Sequence, residues 1–393
     1  MDRRLLVLAV GMFALGTDSY VVAGVLPQIS RAFGVSVGAA GQMTTVYAIA
    51  FALFSPTIAA LAASVPRKLL LLSGVAVFVL ANLATAMAPT FAFALVMRAV
   101  AGVGAAMFSP TATGSAALLA PPQRRGFALS VVVAGLTAST ALGSPVGTLI
   151  GGLGDWRWTM VFVAALGTVA GLGVWAMLSE LPLPPAVSLG KRLAPLADAR
   201  VALTLATTVL ALSGLFTVYT YFAVVFDRVV AGNTVTLGAL LVLWGAAGTL
   251  ANLMSGRLID KIGDRKVIVT MLAGLVVDGL LMPWSGANIW TAALAIAVWG
   301  AFGWGLLVPQ QRRLVNLAPS IAPVLTGLNT AGSFVGISAA GVIGAAGLKA
   351  VGAHNLGGIG AALIAAALIV GEIASRRIAA SSAAPASGVV ASA

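Results

Sequence analysis

Apolar runs of about 20 residues follow one another along the whole chain, broken only by short polar turns. Each is long enough to cross the ~30 Å hydrocarbon core of a bilayer as a helix. Twelve are read, near 5–26, 41–63, 69–88, 91–119, 127–150, 158–179, 201–226, 235–256, 267–285, 288–308, 323–348 and 355–371. The pattern predicts an all-α membrane protein with twelve transmembrane helices.

Composition agrees with the pattern. Of 393 residues, 60% are hydrophobic and only 8% charged, where a soluble domain carries roughly 25% charged residues. The net charge of +12 raises the possibility of a nucleic-acid footprint, which its distribution rejects. With the N-terminus in the cytoplasm, seventeen Lys and Arg fall on cytoplasmic segments, among them Arg67, Lys68, Arg124, Arg125, Arg265 and Lys266. Four fall outside (Arg31, Arg157, Arg228 and Lys349), and Arg98 lies within a span. This bias follows the positive-inside rule and predicts both termini in the cytoplasm. Arg3 and Arg4 precede the first run as they would in a signal peptide, but eleven more runs follow, so a retained first helix is expected. The chain has no cysteine, which excludes disulfides and thiolate metal sites. Its single histidine, His354, falls in the last external loop and reads as a solvated residue.

The longest loop between spans, residues 180–200, is rich in proline and charge and separates six spans from six, as a linker would. The expected organisation is an N-terminal six-helix half (1–179), a cytoplasmic linker (180–200), a C-terminal half (201–374) and a disordered tail (375–393). The halves resemble each other. "AALAASVPRKLLL" from Ala59 and "GRLIDKIGDRKVI" from Gly256 are offset by 197, and Pro121 with Pro319, like Gly143 with Gly341, by 198. Two parallel six-helix pseudo-repeats form a transporter architecture, with the substrate between the halves near the midplane.

Four motifs point to a family. "LGTDSYVVAGVLPQIS" holds an acidic residue before a Gly-x-Leu-Pro ending, and "MRAVAGVGAAM" follows Arg98 with Gly102 and Gly104. "GSPVGTLIGGLGDWRWTMVF" carries Gly143, Pro145 and Gly147 before a Gly-x-Trp-Arg turn; "GRLIDKIGDRK" holds Gly256, Asp260, Lys261, Gly263, Arg265 and Lys266. Over residues 5 to about 374 the chain resembles the major facilitator superfamily, specifically its twelve-span drug:proton antiporters and the branch with bacterial chloramphenicol and sugar efflux proteins. The resemblance implies that fold, a bacterial inner-membrane location, antiport by alternating access and a monomer. Two departures stand out. Ala59 and Ala63 occupy the first-half loop where the family has glycine and aspartate, so a latch built on that aspartate is missing there. The fifth span reads Gly143-Ser144-Pro145, where the wider antiporter motif has Gly-Pro adjacent.

Each motif has a physical reading. Gly143, Gly147 and Gly151, like Gly332 and Gly336, are spaced so that helix backbones approach closely, and Pro145 removes a backbone donor. They read as a sealed but pliable pivot between the halves, as plain packing, or as both. Around Gly256 and Gly263, Asp260 and Arg265 suit ion pairs to neighbouring helix ends that hold one conformation; the alternative is a solvated basic turn. Tyr47, Tyr219, Tyr221, Trp304 and Asn329 are cavity candidates, since aromatic faces with a few polar groups suit an amphipathic ligand. Asp278 lies in the ninth span, which packs peripherally in the fold the family implies.

Asp18 is the one acidic residue between Leu5 and Leu26, and a carboxylate at mid-membrane costs at least ~2.5 kcal/mol. Thirteen residues past Leu5, it lies about 20 Å from the cytoplasmic face and ~10 Å from the outer one. Arg98, seven residues past Phe91, enters from outside and reaches the same ~10 Å depth. Their counterparts 198 positions on, Phe216 and Ile296, are uncharged, so repeat architecture does not explain the pair. Conformational specificity alone could retain it; the reading preferred is a proton-coupling site. Burial and an adjacent arginine pull a carboxylate's proton affinity in opposite directions, which suits a group that loads and releases protons.

The sequence therefore points to proton-coupled export of small amphipathic compounds such as chloramphenicol-like drugs, with a sugar or metabolite exporter of the same fold as the alternative. No Gly-x4-Gly-Lys-Ser/Thr loop is present, so the proton gradient is the expected energy source and no cofactor or metal is expected. One loop histidine and no cysteine argue against an enzyme. A sensor would need an appended soluble domain, which no loop can hold.

Overall fold

The computed structural model describes residues 2–183 and 187–383. Within them, twelve helices are long and apolar enough to cross a membrane. We number these helices alone. In the first bundle they are α1 Arg3–Phe33, α2 Gln42–Leu61, α3 Arg67–Ala86, α4 Phe91–Leu119, α5 Arg125–Leu153 and α6 Arg157–Met177. In the second they are α7 Ala199–Tyr219, α8 Thr234–Ile262, α9 Asp264–Ser285, α10 Ile289–Leu317, α11 Ala322–Ala350 and α12 Leu356–Ala383.

The same pairing order appears twice. In the first bundle α1 packs on α5 and α6, α2 on α4, and α3 on α4 and α6; in the second, α7 packs on α11 and α12, α8 on α10, and α9 on α10 and α12. The bundles meet through α2 against α11 and α5 against α8, which exchange when the halves are swapped.

Several element ends differ from the sequence reading: α7 stops at Tyr219, short of 226, while α8 runs past 256 to Ile262 and α10 past 308 to Leu317. The first helix continues past Leu26 to Phe33, carrying Pro27 inside it, and stops where Gly34 adopts φ 63°. Such a left-handed residue terminates a helix by capping its last carbonyls. At the other end, the segment from Ser375 expected to be disordered is helical through Ala383. Ser375 is buried and its hydroxyl accepts from Arg313 Nη2 at 3.0 Å, while Arg200 reaches Ser381 at 3.1 Å. Both anchors are long-range and invisible to composition. The rest of the expected tail, 384–393, lies outside the described residues.

The bundles touch from the far end down to mid-depth. At the end opposite the basic loops, Gln42 Nε2 of the first bundle donates to the Gly341 carbonyl of the second at 3.2 Å, and Tyr221 Oη, which also donates to Gly341 at 2.7 Å, reaches the Gly38 carbonyl at 3.4 Å. Nearer mid-depth, Phe51 stacks on Phe334 with ring centroids 3.9 Å apart. The α5 face that meets the second bundle carries Ser144, Thr140, Thr137, Val133 and Ser130, alternately four and three residues apart, which keeps one face of a helix. Ser144 and Thr140 are buried, Thr137 is half-buried, and Val133 and Ser130 are exposed. The interface is closed at the far end and open toward the basic loops.

Candidate functional site

The site begins with helix crossings. A Cβ on Gly104 would lie 2.7 Å from the Phe78 amide nitrogen and 2.8 Å from the Gly74 carbonyl oxygen; one on Gly102 would strike the Tyr47 carbonyl. These two glycines let α3 and α2 approach α4 directly, one to two turns past Arg98. The crossing carries Asn82 and Tyr47 to the guanidinium.

Arg98 Nη1 donates to Asp18 Oδ1 at 2.5 Å and to Asn82 Oδ1 at 3.3 Å, and Nη2 donates to the Asp18 backbone carbonyl at 3.3 Å. Asn82 Nδ2 points at Asp18 Oδ2 at 3.4 Å and at the Phe78 carbonyl at 3.0 Å. The Tyr47 ring lies 4.7 Å from the guanidinium carbon. Asp18, Arg98 and Asn82 are all fully buried. An ionised pair out of water survives only with its remaining donors and acceptors engaged. Here Asn82 serves both ions, leaving only Arg98 Nε without a partner. The structure thus brings together Asp18 and Arg98, which the sequence singled out, and adds Asn82, which it did not.

Two residues from Asp18, on the opposite face of α1, Tyr20 enters the second bundle. Its ring packs on Phe216, Tyr219 and Trp304 with centroid separations of 5.9, 6.0 and 5.8 Å. Trp244 and Trp299 extend the cluster through Tyr219, at 4.4 and 6.3 Å. Tyr219 Oη donates to the Tyr20 carbonyl at 3.2 Å and lies 3.2 Å from Ser144 Oγ. The indole nitrogens of Trp244 and Trp304 are buried and unpartnered. Aromatic walls with a few free donors are what an amphipathic ligand requires.

The five cavity candidates separate. Tyr219 and Trp304 share the aromatic cluster, Tyr47 belongs to the Arg98 site, and Tyr221 sits in the far-end seal. Asn329 accepts from Thr208 at 3.0 Å inside the second bundle. Phe216, Tyr20, Trp244 and Trp299 were missed, since apolar aromatics within a span carry no mark of the face they occupy.

Of the α5 glycines, Gly143, Gly147 and Gly151 face their own bundle, while Gly152 faces Thr234 of α8. A Cβ on Gly147 would lie 2.6 Å from Val21 and one on Gly151 2.6 Å from Val25, while Gly143 abuts Thr17, all on α1. Gly336 likewise packs on α7. The pivot reading for these glycines thus concerns α1 against α5, and not the seam between the halves. Before Pro145 the helix widens into a π-turn at Ser139–Gly143, a feature that recurs at functional sites.

In the basic loop, Gly263 holds φ 81°, a backbone conformation that favours glycine, and ends α8; the space around Gly256 is open. Arg312 Nη1 donates to Asp260 Oδ1 at 2.8 Å, joining α8 to α10, and Arg265 pairs with Glu372, joining α9 to α12. These pairs are exposed, so water screens them and each holds its conformation only weakly. Asp260→Asn is therefore expected to slow transport a few-fold and leave substrate affinity unchanged. Initial rates and equilibrium binding on one preparation check this; undiminished turnover refutes a conformational role. His354, read as solvated, is partly exposed and lies 2.6 Å from the exposed Asp227 at the surface.

The sequence profile of the Major Facilitator Superfamily matches residues 8–341. This chain belongs to that superfamily. Inner membrane transport protein YdhP of Escherichia coli K12 is 30% identical over 87% of this chain and 89% of its own length. The chloramphenicol resistance protein of Streptomyces lividans is 32% identical over 72% of each chain. The "Probable sugar efflux transporter" of Helicobacter pylori 26695 is 27% identical over 87% of each. As a superfamily member the chain is a multi-pass membrane transporter of small molecules, folded as two six-helix pseudo-repeats.

Proposed function

We propose that this superfamily member exports small, uncharged amphipathic compounds, chloramphenicol-like drugs among them, in exchange for protons across the bacterial inner membrane. One observation carries the reading. Helix α1 holds a buried carboxylate on one face and, two residues on, a ring inserted between the bundles on the other. Protonating Asp18 weakens its hold on Arg98 and shifts α1 relative to α3 and α4. Tyr20 moves with the same helix, so the proton and the aromatic cluster are linked through one rigid element. A buried two-state element biased by both ligands is what coupling requires. The cluster contains no carboxylate, and the nearby Asp18 is spent on Arg98, which disfavours permanently cationic substrates. The Streptomyces relative supports a drug; the Helicobacter relative keeps a sugar or metabolite as the second reading.

With the basic loops cytoplasmic, the open end of the interface faces the cytoplasm, ready to load an export substrate. Single cysteines in this cysteine-free chain test that orientation. An impermeant maleimide applied to whole cells should label a cysteine at Gly232 and spare one at Arg377; the reverse pattern inverts the topology. The functional reading is tested by a resistance panel in a pump-deficient host together with proton flux in inverted vesicles. Resistance to uncharged drugs with substrate-evoked proton movement is expected, and transport of sugars alone would transfer the assignment to the second reading.

A further inference from the structure

A second acidic residue lies within the membrane, in the other bundle. Asp278 sits on α9, the helix that occupies in the second bundle the place α3 occupies in the first. It is 14 residues past Asp264, as Asn82 is 15 past Arg67. More than nine-tenths of Asp278 is buried, and its Oδ2 has no hydrogen-bond partner. It borders a small pocket between α7, α9, α10 and α12, with room for about one water molecule. The walls are Gly214, Val218, Gly279, Met282, Trp299 and Gly357 with their neighbours. Glycine backbones pinch the pocket: a Cβ on Gly357 would lie 2.5 Å from the Gly279 carbonyl oxygen, and one on Gly360 2.8 Å from that of Gly214.

No titratable group other than Asp278 lines the pocket. On the helices packed around it, Arg200 of α7, Asp264, Arg265 and Lys266 of α9, and Arg312 and Arg313 of α10 lie toward the basic-loop end. So do Arg257, Asp260 and Lys261 of α8, and Glu372, Arg376 and Arg377 of α12. His354, Asp227 and Arg228 lie at the far end. Tyr219 directs its hydroxyl to the Tyr20 carbonyl in the other bundle. An isolated buried carboxylate without a counter-charge is held neutral rather than ionised. A dedicated cation would need several oxygen ligands, and the walls supply only apolar side chains and helix backbone. The free oxygen and the one-water pocket suit a proton.

We propose that Asp278 is a second proton-binding site, in the bundle opposite Asp18, exchanging its proton with a water in this pocket. The proton moves from the carboxyl Oδ2–H to that water and back, with no other reactant. The site stands independently of the transport reading, because proton binding is measurable on the resting protein.

The test is infrared titration of the purified full-length protein in wild-type form and as Asp278→Asn, Asp278→Glu and Asp18→Asn. The expected result is that the wild-type spectrum contains a protonated-carboxyl band, belonging to Asp278, that fades as pH rises. It should be absent from Asp278→Asn, displaced in Asp278→Glu and retained in Asp18→Asn, and it should be insensitive to sodium at fixed pH. The displaced band of Asp278→Glu separates loss of the group from loss of the fold. Identical wild-type and Asp278→Asn spectra, a band unchanged at every pH, or a band removed by sodium at constant pH would each overturn the proposal. If the Asp278 band titrates as expected while Asp18→Asn transports normally, the second site stands and the coupling assigned to Asp18 falls.

Discussion

Asp18→Asn is expected to abolish efflux driven by a pH gradient while leaving downhill exchange of substrate intact. Asparagine reproduces the shape of the protonated carboxyl and cannot release a proton, so the cycle loses its drive but keeps its path. The substitution also leaves the Arg98 guanidinium buried without its anion, and removing one partner of a buried pair costs about 3–5 kcal/mol. A fall in thermal stability is therefore expected beside the functional loss. The neutral pair Asp18→Asn with Arg98→Gln separates the two effects: it should recover much of the stability and none of the pH-driven efflux, because interacting residues are non-additive. Arg98→Ala alone should act differently. Without the guanidinium the anionic form of Asp18 loses its counter-charge, and the pH profile of transport should change before activity is lost. The checks are efflux into everted vesicles with and without a pH gradient, exchange of labelled substrate, and melting of the purified variants. Wild-type efflux by Asp18→Asn with an unchanged pH profile would leave this aspartate a structural residue.

The second large effect is expected at Gly245 on α8, where the bundles meet. A Cβ there would sit 2.5 Å from the carbonyl carbon and oxygen of Thr140 and 2.6 Å from the Ala141 Cα, inside the π-turn of α5. These are backbone atoms, so no side-chain rotation relieves the clash. The seam is not internal to either bundle, so parting the bundles at the far end does relieve it. Gly245→Val should therefore fold and favour the conformation opened at that end. Overpacking costs of ~1–3 kcal/mol correspond to roughly 5- to 150-fold in the ratio of the two conformations. Transport should fall by at least tenfold. A reporter Leu149→Cys, at a side chain packed on Gly238 across the seam, should react faster with an impermeant maleimide applied from the far side. Unchanged labelling with normal turnover would mean that this seam does not open during transport.

The spans, the repeat and the Asp18–Arg98 pair were legible in the sequence for reasons the structure makes plain. Long apolar runs have one fate in a bilayer, and depth follows from counting residues along a helix, so two opposite charges at one level find each other. Asn82 was missed although the same count applies: it lies 15 residues past Arg67, as Asp18 lies 15 past Arg3. A neutral amide in an apolar run raises no alarm, because a single asparagine costs little when its own helix carbonyl can accept from it, as that of Phe78 does here. Rotational phase was the other gap. Tyr219 and Trp304 converge while Tyr47 and Asn329 go elsewhere, and the Gly143 series faces α1 and not α8. Nothing in local sequence anchors which face of an apolar helix meets which neighbour. The overrun of α1 to Phe33 has a similar cause, since Gln28, Ser30 and Arg31 are polar enough to read as loop. The polar end of a membrane helix often projects beyond the hydrocarbon, where length and hydropathy no longer coincide.

Proton exchange is the central claim, and proton movement evoked by substrate tests it most directly. Purified protein is reconstituted in liposomes carrying a trapped pH dye, with no imposed gradient, and substrate is added on one side. The account predicts that inward substrate flux drives protons outward in fixed proportion, that a sodium gradient has no effect, and that Asp18→Asn moves substrate downhill without a pH signal. Substrate flux through wild-type protein with no proton movement, or an equal pH signal from Asp18→Asn, would contradict it.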